Sequence, residues 1–144
     1  TQSFESLAGV TAAVDYIASL GEGDSRRQRI GSAMETIGNY ERAVAERFLE
    51  GIAGLPRVRL YGRNTPDGRT PTFAVSVSGK HPDEVAATLG DLGIFVWSGD
   101  YYAVEVMRRL DVANEGGLVR IGFVHYNTIE EVDRVVAALG DLAS

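Results

Sequence analysis

The sequence predicts an α+β fold: two N-terminal helices, then a small, partly antiparallel sheet of about four strands covered by helices. Three observations predict it. The first 55 or so residues carry apolar positions at helical spacing and no strand signal. From Val58 onward, short runs rich in Val, Ile and aromatic residues alternate with helical segments. Two of those runs flank Asn64-Thr65-Pro66-Asp67-Gly68, a turn sequence that folds neighbouring strands back on each other. Helices and strands grouped in this way build an α+β layer around one core, and 144 residues suit one such domain.

The elements follow in order. Phe4, Leu7, Thr11, Val14 and Ile17 share one face of a helix expected from about Glu5 to Leu20, stopped by Gly21-Glu22-Gly23. Asp24 or Ser25 is placed to cap a longer helix through Ile30, Met34, Ile37, Val44, Phe48 and Ile52, which Gly54 and Pro56 end. Val58 to Tyr61 and Thr72 to Val77 read as strands, with Phe73, Val75 and Val77 on one face. Pro82 opens a third helix, and Asp83 and Glu84 complement its dipole. Ile94 to Trp97 reads as a third strand, and Asp100 as the cap of a fourth helix from Tyr101 to Leu110. Leu118 to Phe123 is the fourth strand. Thr128-Ile129-Glu130-Glu131 is a capping box that starts a last helix reaching about Leu142.

Composition excludes several functions. There is no cysteine, hence no disulfide, thiolate metal site or cysteine nucleophile; the same fact is compatible with the cytosol, and a cytoplasmic location is expected. A net charge of −6 argues against nucleic-acid binding, which needs a basic face. No apolar run has the length of a membrane span. The start at Thr1 has no signal-peptide pattern and reads as an internal cut or the end of a removed segment. Lys80 is the only lysine among 14 basic residues, so the chain is rich in arginine anion clamps and nearly empty of amine nucleophiles.

Arg120 is the most informative residue. Strand alternation puts Arg120, Gly122 and Val124 on one face and Val119, Ile121 and Phe123 on the other. Gly122 leaves space beside Arg120, where a carboxylate ligand fits; the competing reading is a structural ion pair on an edge strand. Tyr101 and Tyr102 follow a strand end, a common location for ligand groups, though one packed in the core and one over a helix end is the blander expectation. His125 and Lys80 read as structural: His125 has no carboxylate or second His near it in sequence, and Lys80 sits in a polar turn. His81 reads as a weak cap, and Arg26-Arg27-Gln28-Arg29 as a solvated face. No glycine spacing matches a phosphate loop.

The stretch from Val119 to Asp133, with Arg120, Tyr126, Asn127 and Thr128 at its centre, resembles the C-terminal signature of class V aminotransferase-like enzymes. These are pyridoxal-phosphate proteins that include cysteine desulfurases and selenocysteine lyases. Gly93-Ile94, Ser98-Gly99-Asp100-Tyr101-Tyr102, and Thr1-Gln2-Ser3-Phe4 with Gly9-Val10 extend the resemblance over nearly the whole chain. It is nearest to the desulfurase-like subgroup without assigned chemistry. The resemblance implies a C-terminal small domain, residues 1–144, that closes over pyridoxal 5′-phosphate held on a lysine of a large domain upstream. It implies an amino-acid substrate and a homodimer. It places the substrate-carboxylate arginine on Arg120, a contact to the partner's cofactor phosphate on Thr1, and the entrance or side-chain pocket at Tyr101 and Tyr102. The resemblance puts the loop that carries the persulfide-forming cysteine of desulfurases at Gly99 to Ala103, with Tyr102 nearest its position, so that thiol chemistry is missing from its usual place. No catalytic residue is expected within the chain, and a catalytic cycle is not expected of it alone. A free-standing module that binds a small carboxylate, or a degenerate structural member of the family, are the alternatives.

Overall fold

The computed structural model describes residues 2–144. The chain divides into two compact units, one ending at Tyr40 and the other running Glu41–Ser144.

The first unit holds helix α1 (Phe4–Ser19) and the start of helix α2 (Arg26–Ala53). Ser3 caps α1, its hydroxyl accepting from the Ser6 N–H at 3.2 Å. Ser25 rather than Asp24 caps α2: its hydroxyl accepts from the Gln28 N–H and the Gln28 side chain accepts from the Ser25 N–H, a reciprocal capping box. Between the helices, a Cβ at Gly21 would sit 2.0 Å from the Arg29 carbonyl oxygen, so only glycine lets the backbones approach. Ala18, Ala33 and Ile37 are buried. The predicted face of α1 is not: Phe4 is 77% exposed and Leu7 50%. Arg26 ion-pairs with Asp15 at 2.6 Å, and the rest of its basic run is solvated as expected.

The second unit is a four-stranded sheet in the order β1-β2-β4-β3, with β1 Val58–Tyr61, β2 Thr72–Val77, β3 Trp97–Gly99 and β4 Leu118–Gly122. Every pairing is antiparallel, so the direction set by the Asp67-Gly68 turn holds across the whole sheet. One face is covered by α2, α3 (Pro82–Asp91) and α5 (Ile129–Leu142). Phe48 from α2 lies 4.3 Å from the Phe73 ring and 5.5 Å from that of Phe123, and Val85, Leu89, Val132 and Leu139 complete this core. His81 caps α3 through Nδ1, and Thr128 and Glu131 form the expected capping box of α5.

Two predicted boundaries move. Strand β3 begins at Trp97, not Ile94, because Gly93 turns left-handed and the Ile94 N–H still bonds to the Leu89 carbonyl at the end of α3. Helix α4 spans Val104–Arg109 and does not start at Tyr101. Tyr101 and Tyr102 have φ of 53° and 61°, a conformation no α-helix accepts, and the Asp100 carboxylate caps their turn, not the helix.

Candidate functional site

The second face of the sheet is only partly covered. Met107 of α4 and Val112 pack on Leu118, with Tyr101 half-buried against them. Beyond that cluster, the open part of the face is set by register. Tyr61 pairs with Ala74, Ala74 with Arg120, and Arg120 with Trp97. Directly opposed residues share a face, so one row runs aromatic, small, cation, aromatic across all four strands. In the next row Gly122 opposes Thr72. A Cβ at Gly122 would meet only Thr72 Oγ1, at 3.7 Å, so the space expected beside Arg120 is present.

Arg120 lies in a central strand, between β2 and β4's other neighbour β3, which removes the edge-strand expectation. Its guanidinium carbon is 5.3 Å from the Tyr101 ring centre and 5.9 Å from that of Trp97. Among the described residues it makes no hydrogen bond or ion pair, so the structural ion-pair reading does not describe it. Cation–π contact orients the planar group without occupying its N–H donors. Arg120 and Trp97, with Phe95, Val96, Thr72 and Gly122, line an open depression of about 460 Å³.

The Asp100–Ala103 turn stands beside this depression. The Ala103 N–H donates to the Asp100 carbonyl at 2.7 Å, and both central residues are left-handed. Asn-Gly is the usual sequence for such a turn; two tyrosines in it cost about 1 kcal/mol or more each. Tyr101 Oη donates to the Leu118 carbonyl, which pins the ring under Arg120. Burial pushes the Tyr101 phenol well above its usual range, against the opposing pull of the Arg120 charge, so it stays a donor at neutral pH. Tyr102 is 97% exposed and, with Trp97, Met107 and Gly116, borders a second hollow of about 570 Å³. One tyrosine thus packs and the other projects.

The remaining candidates lie elsewhere. Lys80 Nζ donates to Glu84 at 2.8 Å, a turn ion pair. His125 stacks edge-on with Tyr126. Thr1 falls outside the described residues. Among the described residues no group of three His, Asp or Glu side chains is placed to hold a metal ion, and no helix is long and apolar enough to cross a membrane. Sequence reasoning missed Trp97 and Phe95 as site residues. Their alternation before Gly99 was visible, but the register that sets Trp97 against Arg120 was not.

An α+β domain with helices on one sheet face, and arginines set against aromatic rings on the other, Arg120 by Trp97 and Tyr101 and Arg59 by Tyr61, is the class that fold and geometry define. The chain belongs to the aminotransferase class-V family, whose pattern it matches over residues 1–135. It is 35% identical over 141 residues to an uncharacterized protein of Mycobacterium tuberculosis, covering 96% of this chain and 34% of that one. It is 31% identical over 133 residues to a cysteine desulfurase of Serratia proteamaculans, covering 92% of this chain and 28% of the relative. The apo structure of a cysteine desulfurase from Thermococcus onnurineus NA1 superposes with a TM-score of 0.69 at 29% identity, over 83% of this chain and 31% of that structure. The chain therefore spans about a third of the length of the relatives it matches.

Proposed function

We propose that this chain is the substrate-clamping small domain of a pyridoxal-phosphate enzyme that acts on an amino acid, with Arg120 receiving the substrate carboxylate. The single observation that carries the reading is the unpaired, aromatic-framed guanidinium of Arg120 on the open sheet face. A carboxylate accepts two parallel N–H bonds from such a fork, and ring contacts to the guanidinium leave its N–H donors available. Family membership and the partial span of the relatives support the placement within a larger enzyme.

The cofactor itself does not fit the described residues. Pyridoxal phosphate requires a lysine amine, and Lys80, the only one, is committed to Glu84 on an exposed turn. When bound by a large domain, the cofactor would supply the carbanion chemistry. What these residues do is bind and orient. The Tyr101 ring holds the Arg120 guanidinium beside it, 5.3 Å from the ring centre, and Tyr102, carried outward by its turn, borders the entrance. Thr1 contacting a partner's cofactor phosphate in a homodimer, in the cytoplasm, belongs to the same reading. Desulfuration through a thiol on this chain is not part of it, since Tyr102 occupies the aligned position and the chain has no cysteine.

Arg120→Ala tests the reading. In an NMR titration with L-alanine, the variant should bind at least about tenfold more weakly, the scale of a lost charge-assisted pair. Arg120→Lys should recover only part of the loss, because an ammonium lacks the fork. A titration unchanged in Arg120→Ala removes Arg120 from the site.

A further inference from the structure

We infer that the Arg120 site selects carboxylates with a bulky, uncharged, apolar body, and disfavours both cysteine-sized and dicarboxylic ligands; the inference rests on Arg120 being the carboxylate anchor. The depression around Arg120 contains one charge. Its other lining residues are Thr72, Phe95, Val96, Trp97 and Gly122, none of them ionisable. A second carboxylate on the ligand would find no cation there to pair with, and would keep its hydration only by holding the ligand body off the aromatic surface. A single anionic end and a neutral remainder match the lining.

Size and polarity follow from the same row of residues. Phe95 is 91% exposed and Trp97 57%, two large aromatic rings left to solvent on the side of the sheet that holds Arg120. Ala74 and Gly122 are the small residues on the opposite flank, and a Cβ at Gly122 would clash with nothing. The space is therefore broad where the ligand body would lie and walled by apolar surface on one side. About 460 Å³ is within the range of about 300–1,000 Å³ typical of small-molecule sites, and far more than a carboxylate with a one-carbon side chain fills. A small ligand would satisfy Arg120 and leave both rings wet. A ligand carrying a ring or branched chain would cover them and add apolar burial to the ion pair.

Trp97 is the only tryptophan of the chain and stands opposite Arg120 in register, so its emission responds to occupancy of this depression, and Arg120→Ala separates that response from one at the neighbouring hollow that Trp97 also borders. The experiment is a fluorescence titration of the chain with 3-phenylpropionate, propionate and succinate at matched ionic strength. 3-Phenylpropionate should reach half-saturation at a concentration about tenfold or more below the other two. Gly122→Leu, which fills the space without backbone strain, should bring 3-phenylpropionate down to the level of propionate. Equal affinities for the three ligands, all lost in Arg120→Ala, would overturn the selectivity and leave Arg120 as the anchor. Ligand responses that persist in Arg120→Ala would overturn the anchor itself, and no response to any of the three would overturn both. Circular dichroism of each variant separates these outcomes from loss of fold.

Discussion

Strand β4 presents two environments to alternate residues. Val119 and Ile121, on one face, are buried under α2, α3 and α5. Arg120 and Gly122, on the other, are exposed on the open part of the sheet. The buried face is held by many mutually supporting contacts, among them the three phenylalanine rings of Phe48, Phe73 and Phe123. The open face holds a cation without an acid, two exposed aromatic rings and a turn in an unfavourable conformation. The difference teaches that stability and binding are separated across a single sheet, with a period of two residues as the only partition.

The largest expected effect sets one face against the other. Phe48→Ala removes a fully buried ring from the helix-covered face, and should lower unfolding free energy by about 3–5 kcal/mol. Trp97→Ala removes a larger ring from the open face, and should cost under about 1 kcal/mol because that ring is more than half exposed. Urea denaturation of the two variants checks the contrast. Comparable losses would mean that the open face is also structural, and the separation would fail.

A smaller effect is expected at the turn that borders the open face. Tyr102→Gly should raise stability by about 1 kcal/mol, because glycine takes a positive φ without the clash a tyrosine suffers and Tyr102 has almost no burial to lose. The same variant should weaken ligand binding if the exposed ring borders the entrance. A thermal melt and an amino-acid titration on one sample read both. A destabilised variant would show that the Tyr102 ring packs in solution, and would remove the strain argument.

Legibility from sequence divides along the same lines. The alternation of β2 and β4 puts Phe73, Val75 and Val77 on one face and Val119 and Ile121 on one face, and those faces are the buried ones; a period of two has a single meaning once one face is buried. The capping box at Thr128 and the cap at His81 were legible because they depend on contacts within three residues. The helix of α1 was legible too, but not what it faces: periodicity reports an amphipathic helix, and Phe4, Leu7 and Val10 remain exposed in it. Tyr101 and Tyr102 were assigned to a helix because nothing in their type favours a left-handed turn, and a tertiary hydrogen bond from Tyr101 to Leu118 overrides local preference. Arg120 was found from its neighbours in sequence. Its frame of Trp97 and Tyr101 was not, since register and turn geometry bring those rings in from 23 and 19 residues away, as the numbering gives directly.

The smallest effect is expected where the chain leaves β4 for the helix that covers the buried face. The Asn127 side chain, then the Thr128 N–H, hold the Glu131 carboxyl below the usual carboxylate range. A folded-state pKa below the unfolded one means that this contribution is present at neutral pH and disappears as pH falls through the folded value. Glu131→Gln keeps an acceptor for the capping box but removes the charge and its favourable position at a helix N-terminus. The melting temperature of the wild type should therefore exceed that of the variant at pH 7, with the gap closing as pH drops from about 5 towards 3. A gap that stays constant across that range would mean that the amide is simply a poorer cap. The charge would then contribute nothing to anchoring α5 over the buried face, which would rest on packing alone.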